Sequence, residues 1–207
     1  MSKKLPPELE AKLRLYQELL VKWQKAVNLV APASLEDSWN RHFQDSLQLL
    51  DLIPESARTL IDLGSGAGFP GLVLAIARPD LHVHLVEADQ KKGAFLLNVS
   101  RETGAKNVSL HSQRIESVLP TLHGDVITAR ALASLSGLLT LSRSQWDCPS
   151  GGREAPAVLV FPKGAGWQEE VVEARKTYDF TPLVTPSRTS KQAAVLCITG
   201  VSLRHGA

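Results

Sequence analysis

Residues 59–71 read TLIDLGSGAGFPG and decide the fold. Thr59, Leu60, Ile61 and Leu63 form a short apolar run of strand character. Three alternating glycines, Gly64, Gly66 and Gly68, follow it at once, and Pro70 then suits a first helical turn whose amide lacks a partner anyway. Strand, glycine turn and helix in that order put a side-chain-free backbone at the carboxyl end of a strand, where open α/β sheets hold their ligands. Three alternating glycines exceed what a tight turn alone needs.

Downstream, the same rhythm repeats. HVHLVE (82–87) precedes DQKKGAFLLNVSRET (89–103), NVSLHSQ (107–113) precedes RIESVLP (114–120), and DVITARA (125–131) precedes a helix over 135–146. APAVLVFPKG, the helix WQEEVVEARKTY (167–178), FTPLVTP and AAVLCITGV complete the series. Alternating strands and helices imply a mostly parallel, doubly wound α/β sheet covered on both faces. The Gly- and Pro-rich stretch CPSGGREAP (148–156) predicts a mobile loop. Upstream, Leu9, Leu13, Tyr16, Leu20, Trp23 and Val27 draw one apolar stripe on a helix starting at Pro6-Pro7. A second helix is expected after Pro32, capped by Ser34 and burying Trp39, Phe43, Leu47 and Leu50. Residues 1–54 thus form an N-terminal helical cap on one core spanning 55–207.

The 207 residues are 43% hydrophobic and carry a net charge of +2, enough for a core without disulfide or metal support. Cys148 and Cys197 lie far apart without a CxxC partner, which argues against a disulfide framework or zinc module. His82 and His84 alternate on a strand without a third ligand. No apolar run approaches a membrane span, and no signal-type start is visible. A cytoplasmic protein is expected, and a monomer, because no apolar edge or heptad seam stands unexplained.

Two registers compete in the glycine loop. Gly66, Gly68 and Gly71 make GxGxxG, the dinucleotide fingerprint; from Asp62 the loop reads DxGxGxG, which resembles S-adenosylmethionine-dependent methyltransferases. Glu87, at the end of the next strand, suits ribose hydroxyls in either ligand. Asp62 is awkward beside a pyrophosphate but useful near an ammonium and a sulfonium. Ile115 and Glu116 sit where an adenine would meet an apolar face and a polar edge, although Glu116 is also a favourable helix N-terminal acid.

The sequence resembles the RsmG family, also called GidB, bacterial methyltransferases that modify a guanosine of 16S ribosomal RNA at ring nitrogen-7. The matching segments are Asn28-Leu29, Arg41-His42-x-x-Asp45-Ser46-Leu47, DLGSGAGFPG, Glu87-Ala88, Lys91-Lys92, Phe95-Leu96, Arg114-Ile115-Glu116, Asp125, Ala129-Arg130-Ala131 and Lys163-Gly164. They run in order through nearly the whole chain. The resemblance implies a class I, Rossmann-like core with a seven-stranded sheet. It implies S-adenosyl-L-methionine as cofactor, released as S-adenosyl-L-homocysteine, without a metal. Cofactor contacts are implied at Gly64, Phe69, Ile115, Glu116 and Arg130, beside Asp62, Gly66 and Gly68 of the loop and Glu87 at the end of the next strand. The implied partner is 16S ribosomal RNA or the small ribosomal subunit.

Nitrogen-7 of guanine carries an in-plane lone pair and no proton, so its methylation needs alignment rather than a general base. The chain accordingly lacks an Asn/Asp-Pro-Pro-aromatic tetrapeptide, and both cysteines read as structural. Arg130, ending the fourth strand, is the expected positioning residue for cofactor or base. Arg41, His42 and Asp45 share one helix face, either as an intrahelical ion pair or as a roof over the substrate crevice. Lys91, Lys92, Lys163, Arg188 and Lys191 complete a basic rim for RNA, with a solvated surface as the plainer reading of Lys91-Lys92. Two competitors stay open: an NAD(P)-dependent oxidoreductase on the same glycines, and a non-catalytic RNA-binding factor that senses the cofactor.

Overall fold

The computed structural model describes residues 5–147 and 156–204. Helix α1 (Pro7–Gln24) leads into a compound helical segment and then the sheet. The strands are β1 (Thr59–Leu63), β2 (His82–Val86), β3 (Val108–His111), β4 (Val126–Ala129), β5 (Val158–Lys163), β6 (Tyr178–Pro186) and β7 (Ala194–Leu203). They form one seven-stranded sheet in the order β3-β2-β1-β4-β5-β7-β6. The first five run parallel, and β7 pairs antiparallel with both β5 and β6. The order reverses between β1 and β4, whose last residues Leu63 and Ala129 are register partners. The loops after these two strands therefore diverge to opposite faces and leave a crevice between them.

The connecting helices are α3 (Gly71–Ala77), α4 (Gln90–Thr103), α5 (Ile115–Val118), α6 (Leu135–Leu141), α7 (Arg143–Trp146) and α8 (Trp167–Ala174). Helix α4 has deliberate ends. The Asp89 carboxylate accepts from the Lys91 and Lys92 amides at 2.8 and 3.1 Å, and Gly104 closes it in the left-handed conformation. The expected 135–146 helix is broken at Ser142, whose hydroxyl donates back to the Leu138 carbonyl at 2.7 Å. The expected 167–178 helix stops at Ala174, because Tyr178 already pairs with Leu203 across the sheet. Of the predicted 148–156 loop, all but Pro156 lies outside the described residues.

The second N-terminal helix differs more. In place of one amphipathic helix, the chain makes a 3-10 turn (Pro32–Ser34), a π-helix (Trp39–Gln44), the short α2 (Asp45–Leu47) and a 3-10 turn (Gln48–Leu52). The widened winding turns both His42 and Phe43 inward, where the expected pattern buried only Phe43. Ser34 caps nothing; its hydroxyl donates to the Ala31 carbonyl at 2.7 Å and meets His42 Nε2 at 2.9 Å.

The N-terminal segment shares the interior of the sheet. Leu13, Tyr16 and Leu20 of α1 are fully buried in the cluster that holds Phe43, Phe69, Leu72 and Phe95. Full burial of each apolar side chain of this size contributes about 1.5–3 kcal/mol. Tyr16 stacks parallel on Phe69 with centroids 5.4 Å apart and meets Phe43 edge-on at 5.0 Å. Its buried hydroxyl donates to the Ala67 carbonyl inside the glycine loop. Room for that hydroxyl exists because residue 68 is glycine, with φ of +88°: a Cβ there would strike it and come within 2.9 Å of Leu96. Among the described residues no helix is long and apolar enough to cross a membrane, and no group of three or more His, Cys, Asp or Glu side chains is placed to hold a metal.

Gly68→Ala is therefore expected to destabilise the fold by about 1–3 kcal/mol through the left-handed backbone and overpacking, read as a lowered urea midpoint. In a Tyr16→Phe background, with the hydroxyl gone, the same substitution should cost measurably less.

Candidate active site

The glycine loop is fastened from below. The Ser65 amide donates to the Val86 carbonyl at 3.0 Å, the Gly68 amide to Ser65 O at 2.7 Å, and the Gly66 amide to Glu87 Oε2 at 2.8 Å. Glu87 Oε1 accepts from the Asp89 amide at 2.8 Å. One carboxylate thus ties the loop after β1 to the start of α4 while remaining half-exposed toward the crevice. A Cβ on Gly66 would meet nothing closer than 3.8 Å, so this backbone faces open space.

The crevice is a cleft of about 740 Å³. Gly64, Gly66, Phe69, Glu87, Ile115, Glu116 and Arg130 all line it, as do Arg41, His42 and Lys92. Asp62 and Gly68 do not. Asp62 is fully buried beneath the loop, where its Oδ2 accepts from the Gly71 amide at 3.2 Å and its Oδ1 has no hydrogen-bond partner. Burial raises its pKa to about 7, against the opposing pull of Ser65, the Gly71 amide and Arg130. Asp62 therefore supports the loop from inside instead of presenting a charge to a ligand, and Gly68 admits Tyr16 rather than a cofactor. Sequence periodicity carries no signal for which side of the loop such residues face.

Arg130 closes the other wall. It follows β4 directly, and the next residue, Ala131, takes the left-handed conformation at φ +53°, uncommon for a residue with a Cβ. The guanidinium donates from Nη1 to the Arg41 carbonyl at 3.0 Å and from Nη2 to His42 Nδ1 at 2.9 Å. It lies 5.1 Å from the Phe69 centroid, and Nη1 is 3.6 Å from Asp45 Oδ2. His42 in turn stacks on Phe69 at 4.9 Å. Arginine has no acceptor, so His42 Nδ1 must accept and Nε2 must carry the proton, which it gives to Ser34 Oγ. Burial, then the charges of Arg130 and Arg41, lower the His42 pKa to about 4. The expected intrahelical pair of Arg41 with Asp45 is replaced by the long-range pair of Arg130 with Asp45.

A second cavity of about 480 Å³ adjoins the first; Arg41 and Arg130 line both, and Lys163, Asp45, Gln48, Ser187 and Thr189 line only the second. The expected basic rim is dispersed. Lys163 is nearly buried, bonded to Glu170 at 2.6 Å and the Ala133 carbonyl at 2.9 Å. Arg188 pairs with Asp51 on the surface. Lys191 borders a separate hollow with Trp167, and Lys91 is exposed on the first turn of α4. His42 is interior, bonded on both ring nitrogens. Asp45 and Thr189, joined by a 2.6 Å hydrogen bond across 144 positions, are the site residues that sequence spacing had no means of pairing.

Comparison with known proteins agrees with this geometry. A family model described as rRNA small subunit methyltransferase G, GidB, matches residues 9–194. The chain belongs to this family. A protein named ribosomal RNA small subunit methyltransferase G from Methylobacterium sp. (strain 4-46) is 47% identical over 200 residues, covering 94% of this chain and 90% of the relative. One of the same name from Paramagnetospirillum magneticum is 47% identical over 195 residues, covering 92% and 88%. Among solved structures, the O-methyltransferase TomG from Streptomyces achromogenes, in complex with SAM, superposes with a TM-score of 0.58 at 17% identity, covering 97% and 93%. The glycopeptide N-methyltransferase MtfA gives 0.59 at 10% identity, covering 76% and 93%. The fold is that of the class I methyltransferases, and the chain is a methyltransferase by family membership, which sets the oxidoreductase and the non-catalytic factor aside.

Because His42 stays largely neutral in the fold until the pH approaches its lowered pKa of about 4, while an unfolded histidine binds a proton below about 6.5, its contribution to stability is complete above pH 6.5. It is lost as pH falls toward 4. The drop in urea midpoint between pH 6.5 and 4 should be smaller in His42→Gln than in the parent protein.

Proposed function

We propose that this enzyme transfers the methyl group of S-adenosyl-L-methionine to nitrogen-7 of a guanosine in 16S ribosomal RNA, in the cytoplasm and as a monomer, on the free RNA or the small subunit. When bound, the cofactor supplies a methyl on a positively charged sulfur. The observation that carries the reading is the shared wall of the two cavities, where Arg130 and Arg41 face both a nucleoside-sized cleft and a second space beside it.

Each cleft residue has a use in that reading. Glu87 offers acceptors to ribose hydroxyls while holding the Gly66 amide. Ile115 gives an apolar face to the adenine, and Glu116 stands at its polar edge. Gly64 and Gly66 let the methionine portion lie against bare backbone. Phe69 and His42 hold the Arg130 guanidinium in plane, so that it aligns the base without donating to the attacking nitrogen. Neutral His42 is engaged at both nitrogens and is not free to take a proton, and methylation of an unprotonated nitrogen needs no such base. Arg41, Lys91, Lys92 and Lys191 are available to phosphates; Arg188 is paired with Asp51, and Lys163 serves mainly to fix the β5 end through Glu170. With a net charge of +2, few phosphates can be neutralised, so the enzyme selects a folded RNA shape over polyanions in general.

The test is transfer of labelled methyl to small subunits, and to naked 16S RNA, from cells that lack the enzyme, followed by cleavage mapping of 7-methylguanosine. Absence of transfer to both substrates, or a methyl on another atom, overturns the assignment. Glu87→Ala is expected to weaken S-adenosyl-L-homocysteine binding by about tenfold to a hundredfold in calorimetry, through loss of charge-assisted hydrogen bonds. Arg130→Ala should lower turnover by at least about tenfold, since it removes alignment; near-normal turnover with unchanged cofactor affinity would exclude its positioning role.

A further inference from the structure

We infer that Asp45, together with Arg130, reads the Watson–Crick side of the target guanine from the second cavity and so sets guanine over adenine; this rests on the nitrogen-7 reading above. Along the edge of a guanine the groups run in fixed order: nitrogen-7, the acceptor oxygen-6, then the donors N1–H and N2–H. The protein presents a matching order. The cofactor cleft comes first, then the Arg130 guanidinium in the wall between the cavities, then Asp45, which lines only the second cavity. A base with nitrogen-7 toward the cleft meets Arg130 at oxygen-6 and a carboxylate at N1–H and N2–H.

Asp45 is held for this task and left with acceptor capacity. Its Oδ1 is committed, taking Gln48 Nε2 at 2.8 Å and the Thr189 hydroxyl at 2.6 Å. Oδ2 faces Arg130 Nη1 at 3.6 Å, longer than a hydrogen bond, with the two side chains 18% and 19% exposed. The Gln48 and Thr189 bonds come from two segments far apart in the chain, so the carboxylate is fixed in orientation before any base arrives. Adenine reverses both positions, with a donor where guanine has oxygen-6 and an acceptor where it has N1–H. It would set donor against donor at Arg130 and acceptor against acceptor at Asp45, leaving both protein groups unsatisfied.

The alternative is that Asp45 merely steadies Arg130, and inosine separates the two. Inosine keeps oxygen-6, N1–H and nitrogen-7 and lacks only the 2-amino group, which Arg130 does not touch. Small subunits are reconstituted with 16S RNA bearing guanosine, inosine or adenosine at the mapped position, and both binding and kcat/KM are measured. The wild-type protein is expected to favour guanosine over inosine by roughly tenfold, the worth of a hydrogen bond to a charged group. Asp45→Asn, which retains an oxygen for Gln48 and Thr189, should bring that ratio near one and narrow the guanosine-to-adenosine binding ratio by about tenfold or more. Equal handling of guanosine and inosine by the wild type overturns the inference, as does a ratio unchanged in Asp45→Asn. Failure of the underlying reading is distinct: the wild type would then leave no 7-methylguanosine, whatever the binding ratios.

Discussion

A buried tyrosine hydroxyl bonded to a loop carbonyl holds the two halves of this molecule in register. Tyr16 reaches Ala67 through space that only a glycine at 68 leaves open, and its ring carries Phe69, on which His42 lies. Arg130 completes the column and bonds back to the segment that supplies His42. Flat groups stacked in this way have few rotamers to choose among, so the cofactor cleft inherits the rigidity of the core beneath it. The price is paid in polar burial: Asp62 sits out of water with one oxygen unpartnered, and Arg130 is largely buried.

Much of the architecture was legible from residue order. Strands β1 to β5 lie where the short β-rich runs stand; β1, β4 and β5 are buried on both faces and have no alternation to confuse, while β2 alternates around His82 and His84. Gly64, Gly66, Glu87, Ile115 and Glu116 were placed at the crevice by their offsets from strand ends, and they line it; Gly68 was placed there too and does not. What escaped was decided by contacts between distant segments. The π-helix at Trp39–Gln44 follows from the need to bury His42 and Phe43 together, which no local propensity encodes. Lys163 reads as a free strand-end cation until Glu170 of α8 is seen to neutralise it. Asp62 reads as a ligand contact until the loop is seen to fold over it, with the Gly71 amide as its partner. In each case the residue type was noticed and its facing was not.

Electrostatic placement in this protein is economical. Positive groups near the crevice are mostly committed: Arg130 to the helical segment, Lys163 to Glu170, Arg188 to Asp51. Exposed pairs such as the last contribute little to stability, about 0–1 kcal/mol. Cations committed in this way are unavailable for indiscriminate capture of phosphate chains, which leaves the shape of the cavities, and the few cations at their mouths, to choose the partner.

The Tyr16 contact with Ala67 spans 51 positions, and Tyr16 also packs on Phe95 with ring centroids 6.1 Å apart. In synthesis α1 precedes every surface that its apolar stripe covers: Phe43 comes next, then Phe69 and α3, and α4 comes last. The last of these surfaces is complete only about eighty residues after the helix itself, at roughly 5–20 residues made per second. Its outer face stays charged throughout, with Lys12 paired to Glu8 and Arg14 to Glu10. The full cover of this helix is thus set by a segment far downstream of it.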